Sequence, residues 1–150
     1  MKLKDFIICD DIRTEIGNKF SLMGIYNDAL NFTVPENLAD SWPKMVHLGF
    51  FIRLGLQNLE ELRNIGKFVL ESTQNDEINF KAEQIFSGEV NDNNPLNQLI
   101  ISVVFDQIKI HSIGEMDLSL SVYNKKNELM AKFNYPGNMK VSVVTFPNPR

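Results

Sequence analysis

Residues 4–27 read KDFIICDDIRTEIGNKFSLMGIYN and predict a long antiparallel hairpin. Glycine followed by asparagine at Gly17 and Asn18 favours a two-residue turn, because glycine adopts positive φ without steric cost. A turn of that length places Ile16 opposite Lys19, and every other pair of the hairpin follows from this register.

The predicted hairpin concentrates charge inside apolar sequence. Side chains alternate across a strand, so Asp11, Arg13 and Glu15 share one face, on which Gly24 is expected opposite Asp11. The other face is expected to belong to the core, and Asp10 intrudes into it. Two neighbouring aspartates thus point to opposite sides of the strand.

Two interpretations of this charged cluster are open. In the structural one, Arg13 bridges Asp11 and Glu15, since charged groups in apolar surroundings persist when they are paired. In the binding one, Arg13 and Lys19 contact an anionic ligand or the acidic surface of a partner.

Residues 9–26, CDDIRTEIGNKFSLMGIY, resemble the opening of a family of small uncharacterised domains from bacterial and phage genomes. That opening combines Asp-Asp-x-Arg-x-Glu, a short turn and Lys-x-Ser-Leu-x-Gly-x-Tyr. The matching positions are Asp10, Asp11, Arg13, Glu15, Lys19, Ser21, Leu22, Gly24 and Tyr26. The resemblance implies membership of that family and implies no activity, because none is assigned to it.

Length, composition and net charge limit the classes of protein to which this chain is expected to belong. A chain of 150 residues that is 43% hydrophobic is expected to form one domain, residues 1–150, with a substantial core. A net charge of −4 disfavours a dedicated nucleic-acid binder. No apolar run is long enough for a membrane span, and residues 1–11 lack the pattern of a signal peptide. The lone Cys9 fits a reducing compartment, so a cytoplasmic location is expected.

The remaining sequence alternates apolar and polar residues in short segments. Residues 45–54 predict an interior strand, residues 99–108 a central strand buried on both sides, and residues 140–145 a final edge strand. Asn58 and Glu61 resemble a capping box that begins one short helix, and a polar loop is the alternative. The pattern predicts an all-β, antiparallel β-sandwich of about eight strands with at most one short helix; a partly open barrel is the alternative.

Three further side chains are candidates for a site. Trp42, in a loop between two prolines, is expected to cover one end of the core or to anchor a ligand or partner. His47 shares a strand face with Arg53 and is either a solvated strand residue or part of a site. Tyr26 and Phe51 are aromatic residues that, with Trp42, can anchor a contact patch.

Catalytic and metal-binding motifs are missing from the sequence. No nucleophile elbow, Walker A loop, dinucleotide fingerprint or zinc-protease helix motif is present, and no cofactor or metal site is predicted. Cys9 lies beside two aspartates, which are expected to raise its pKa and keep the thiol inert. The Asn- and Asp-rich residues 89–95, with Asp92, suggest either an ordinary turn or a calcium loop without the EF-hand pattern.

Two classes of function follow. The first is a non-enzymatic binding or assembly module that contacts a protein partner or a second copy of itself, without nucleic acid or membrane. The alternative is a small-molecule-binding or hydrolytic pocket, which requires Asp11, Glu15 and His47 to converge.

Overall fold

The computed structural model describes residues 1–87 and 97–148. Ten strands and one short helix account for most of these residues. In chain order the elements are β1 (Lys2–Glu15), β2 (Lys19–Ile25), β3 (Ala29–Pro35), a 3₁₀ turn (Glu36–Leu38), β4 (Lys44–Gly55), α1 (Leu59–Asn64), β5 (Ile65–Gln74), β6 (Glu77–Ile85), β7 (Gln98–Ile110), β8 (Gly114–Asn124), β9 (Leu129–Asn134) and β10 (Met139–Phe146).

The strands form two sheets that pack against each other. The four-stranded sheet has the order β2-β1-β4-β7, and the six-stranded sheet has the order β3-β10-β8-β5-β6, with β9 paired to the second half of β8. Every pairing is antiparallel except that of β3 with β10. The all-β sandwich is therefore confirmed, with ten described strands rather than about eight. β10 lies inside its sheet and is not the predicted edge strand.

The core lies between the sheets because each strand turns alternate side chains inward. β4 shows the predicted alternation, since Leu48, Phe50, Ile52 and Leu54 are all buried. β8 supplies the facing layer from the other sheet. Its buried residues are Met116, Leu118, Leu120 and Val122.

The short helix follows the predicted cap. The side chain of Asn58 accepts a hydrogen bond from the Glu61 N–H at 2.9 Å, which satisfies one of the free donors of the first helical turn. Leu62 packs against the core, and the helix ends at Asn64. The predicted helix is confirmed.

β7 differs from its prediction as a central strand. It pairs only with β4 among the described strands, so it forms one edge of the four-stranded sheet. Ile100 on its outer face is 38% exposed. An apolar run indicates that a strand's side chains contact other apolar groups, but it does not tell whether a second strand pairs with its free backbone edge.

No helix within the described ranges is long and apolar enough to cross a bilayer. The calcium hypothesis concerns residues 89–95, which lie outside the described residues.

Candidate functional site

The β1–β2 turn contains three residues rather than two. Ile16, Gly17 and Asn18 form the loop, and Glu15 pairs with Lys19. Gly17 and Asn18 both have positive φ, at 84° and 57°. Because Ile16 leaves the strand, the predicted register is wrong by one residue, and every cross-strand pair shifts with it.

Beyond Cys9 the hairpin leaves the plane of its sheet. β1 pairs with β4 as far as Cys9 and Gly49, and after that it pairs with β2 alone. The rings of Phe20 and Phe51 nevertheless meet edge to face, with centroids 5.3 Å apart. Residues 10–24, which we call the hairpin arm, therefore fold back over the outer face of the four-stranded sheet.

The arm closes tightly over Gly49. A Cβ atom at that position would lie 3.0 Å from Ile12 Cγ1 and 3.1 Å from Cys9 Sγ, so only glycine fits without displacing them. Cys9 is fully buried beneath this contact. Burial raises the pKa of its thiol, and the charges of Asp10 and Asp11 raise it further, which confirms the predicted direction.

Asp10 is exposed and does not enter the core as the predicted register required. Its carboxylate occupies the space over Gly24, where a Cβ would lie only 2.1 Å from Asp10 Oδ2. Gly24 also has a positive φ of 64°, which disfavours any other residue. The Tyr26 hydroxyl donates a hydrogen bond of 2.5 Å to Asp10 Oδ1. Partial burial raises the pKa of Tyr26, and this hydrogen bond to a carboxylate raises it further.

Three of the other charged residues of the arm, Asp11, Arg13 and Glu15, have partners nearby. Arg13 Nε lies 3.7 Å from Asp11 Oδ2, and both side chains are exposed. Glu15 instead accepts a hydrogen bond of 2.9 Å from the Ser21 hydroxyl. The predicted bridge from Arg13 to both carboxylates is thus present on one side only. Lys19 has no hydrogen bond or ion pair within residues 1–87 and 97–148.

The tip of the arm presents an apolar side chain that sequence reasoning missed. Ile16 is 98% exposed, although isoleucine is usually buried. The position of Ile16 directly before the Gly-Asn pair could have indicated that it belongs to the turn. The assumption of a two-residue turn placed it in the strand instead. The contacts of Glu15 with Ser21 and of Arg13 with Asp11 order the arm, so Ile16 points outward from an ordered hairpin.

His47 does not join the arm's carboxylates. Its Nδ1 lies 3.1 Å from Asp106 Oδ1. Asp106 lies at an irregularity in the β4–β7 pairing, where two residues of β7, Asp106 and Gln107, stand opposite one residue of β4. Both side chains of this pair are largely exposed. Asp11, Glu15 and His47 therefore each interact with a different residue, and no hydrogen bond or ion pair joins any two of them among the described residues.

Trp42 packs at one end of the core. Its ring meets Phe32 edge to face with centroids 6.2 Å apart, and the Lys44 ammonium lies 4.6 Å from the ring centroid. That ammonium also donates to the carbonyls of Leu38 and Ser41, each at 2.8 Å, so the buried lysine is satisfied. The same tryptophan lines an apolar surface cavity of about 410 Å³ beside β10.

Within residues 1–87 and 97–148, no group of three or more His, Cys, Asp or Glu side chains is placed to hold a metal ion. No protein-family model matches the chain, and no curated protein matches it significantly.

Proposed function

We propose that this protein is a non-enzymatic binding or assembly module that contacts a protein partner or a second copy of itself through the hairpin arm. The exposure of Ile16 at the tip of the arm carries the proposal. An isoleucine that becomes fully buried at an interface contributes about 1.5–3 kcal/mol, which corresponds to roughly a ten- to hundredfold change in affinity.

The arm is preorganised for such a contact. Asp10 interacts with Tyr26, and Glu15 interacts with Ser21, so both ends of the arm are tied across its two strands. Phe20 packs on Phe51 and holds the arm against the sheet. A loop that is already ordered loses little conformational entropy on binding, so more of the contact energy appears as affinity.

Charge near the tip indicates what kind of surface the arm fits. Lys19 follows the turn directly and pairs in register with Glu15, while its ammonium remains without a partner in the described ranges. Arg13 is exposed two residues before Glu15. Since Arg13 is already paired with Asp11, a partner with an apolar pocket and an acidic group beside it matches Ile16 and the Lys19 ammonium, which is unpaired among the described residues.

The family resemblance and the cellular location remain parts of this proposal. The contacts of Asp10 with Gly24 and Tyr26, and of Glu15 with Ser21, give a physical reason for a motif of that spacing. The lone cysteine supports a cytoplasmic location, and the net charge of −4 supports a partner other than nucleic acid.

The test compares the wild type with Ile16→Asp and a control, Ile85→Asp, whose isoleucine is 74% exposed on β6. Light scattering over a wide range of protein concentration measures self-association, and affinity capture measures binding of other proteins. We expect Ile16→Asp to weaken the association at least tenfold and Ile85→Asp to leave it unchanged. Slow reaction of Cys9 with a thiol reagent shows that the arm is still folded in each variant.

Two results would count against the proposal. One is a wild-type chain that stays monomeric at every concentration while Ile16→Asp captures the same proteins as the wild type. The other is an equal loss of association in Ile85→Asp, which would indicate non-specific hydrophobic association. The role of Lys19 is checked by Lys19→Ala, which should weaken binding most at low salt because surface charges are screened by ions.

A further inference from the structure

An open cleft separates the two sheets along the edge strands β6 and β7. β6 pairs only with β5 and β7 only with β4 in the described part of the chain, so a free edge of each sheet borders the cleft. The two strands converge where Phe80 and Phe105 meet, with ring centroids 4.7 Å apart. They separate toward Gln84 and Leu99, where two adjoining cavities open.

The inner cavity has a volume of about 330 Å³ and is bounded by apolar side chains of both sheets. Its floor is formed by Ile52 and Leu120, which are buried core residues. The core-facing residues of β7, which include Ile101 and Val103, are only half-buried, since none of the described strands covers them. A volume of this size lies within the range of about 300–1,000 Å³ that small-molecule sites occupy.

The outer cavity has a volume of about 270 Å³ and a different chemistry. It shares Phe68, Gln84 and Ile101 with the inner cavity and is also lined by Ser87 and Ser102. Amide and hydroxyl groups both donate and accept hydrogen bonds without carrying charge. Among the described residues that line the outer cavity, none is charged.

One charged residue lines the inner cavity, and its carboxylate is already engaged. Glu83 accepts a hydrogen bond from Lys67 Nζ at 3.0 Å. Glu83 stands opposite Val69 in the strand pairing, while Ala82 and Gln84 pair with the core-facing Leu70 and Phe68. The inner part of the cleft therefore presents apolar groups, and its mouth presents neutral polar groups.

We propose that the β6–β7 cleft binds an uncharged single-chain amphipathic molecule, with its alkyl chain in the inner cavity and its hydroxyl, ester or amide head in the outer one. The apolar inner lining disfavours a strongly polar chain, and the described residues at the mouth offer no counter-ion to a carboxylate or ammonium head. This site is independent of the hairpin arm, and the proposal stands on different residues from the proposed protein contact.

The test uses the full chain and the neutral fluorophore N-phenyl-1-naphthylamine as the probe. We expect saturable binding of one probe per chain, with displacement by monodecanoylglycerol at least about tenfold tighter than by decanoate. Ala82→Phe fills the inner cavity and is expected to weaken probe binding at least tenfold. The matched control is Ala39→Phe, which enlarges an alanine lining the cavity beside Trp42.

Gln84→Lys tests the position of the head group, and it is suited to this because Gln84 is exposed and tolerates substitution. An ammonium at the mouth should shift the preference toward decanoate by several fold. Thermal melting of each variant shows whether it is folded, and Val103→Phe replaces Ala82→Phe if the latter unfolds.

The proposal is overturned if the wild type does not bind the probe, or if Ala39→Phe abolishes binding while folded Ala82→Phe retains it. Equal displacement by decanoate and monodecanoylglycerol would overturn the choice of a neutral head group. An unchanged preference in Gln84→Lys would overturn the placement of that head at the mouth of the cleft.

Discussion

The two edge strands of the four-stranded sheet, β2 and β7, lie in different surroundings. At the β2 edge, the hairpin arm folds back and its polar residues bind one another, as the contacts of Asp10 with Tyr26 and Glu15 with Ser21 show. At the β7 edge, residues 98–105 carry no charge, and the core-facing side chains remain half-exposed along a cleft. At the β2 end the arm is held over the outer face of the sheet by its own contacts, whereas the β7 end borders a cleft.

The difference between the two ends of the sheet follows from how far apart in the chain the contacting residues lie. The arm's partners lie 2 to 16 residues apart, so a single hairpin brings them together. The cleft lies between β6, which forms a hairpin with the preceding β5, and β7, whose partner β4 ends at Gly55, far before β7 begins at Gln98. Open sheet edges are usually protected by charge, proline or a covering element, and the uncharged run on β7 lacks the first two.

The largest expected effect tests whether the cleft is open. Ile108 and Ile101 lie on β7, but Ile108 is buried whereas Ile101 lines the cleft. Ile108→Ala should lower the free energy of unfolding by about 3–4 kcal/mol, as expected for a large-to-small change in a core. Ile101→Ala should cost about 1–2 kcal/mol, because water already reaches that side chain. Urea denaturation measures both, and equal costs would show that the cleft is closed in solution.

The next effect tests the contacts that hold the hairpin arm in place. Gly24→Ala combines a positive φ with a Cβ that overlaps the Asp10 carboxylate, so it should cost about 3 kcal/mol. Gly17→Ala is the control, because its φ is also positive but a Cβ there meets nothing within 4 Å. It should cost about 1–2 kcal/mol from backbone conformation alone. Gly24→Ala should also speed the reaction of Cys9 with a thiol reagent; an unchanged rate would mean that the arm does not depend on this contact.

The smallest effect concerns the hydrogen bond between Tyr26 and Asp10. Tyr26→Phe should cost about 1 kcal/mol near neutral pH, since one hydrogen bond at a partly exposed site is lost. Because folding raises the pKa of Tyr26 above its usual 10.0, the bond's contribution is complete below pH 10 and declines as the pH rises further.

Urea denaturation of the wild type and Tyr26→Phe at several alkaline pH values measures this dependence. The pKa values of Cys9 and Tyr135 are also raised by burial, but both groups are present in each protein, so the difference between the two proteins reports on Tyr26. A difference that stays constant above pH 10 would contradict the assignment.

Several features of this protein were determined by the sequence alone. The alternation of residues 45–54 predicted an interior strand, and the Asn58 cap predicted the start of a short helix. Both depend on periodicity or on contacts within one turn of chain, which the sequence states directly. The direction of the pKa shift of the Cys9 thiol was also predictable: burial in an apolar run raises the pKa most, and the two aspartates that follow raise it further.

Other features were decided by the tertiary structure. One extra residue in the turn moved Gly24 from Asp11 to Asp10, which removed Asp10 from the core and left Ile16 at the tip. An apolar run on β7 was compatible with either a central or an edge position, and only the order of strands decided between them. The physical reasons differ: the hairpin register depends on the length of a turn that the Gly-Asn pair does not fix, whereas strand order depends on which distant segment supplies the neighbouring strand.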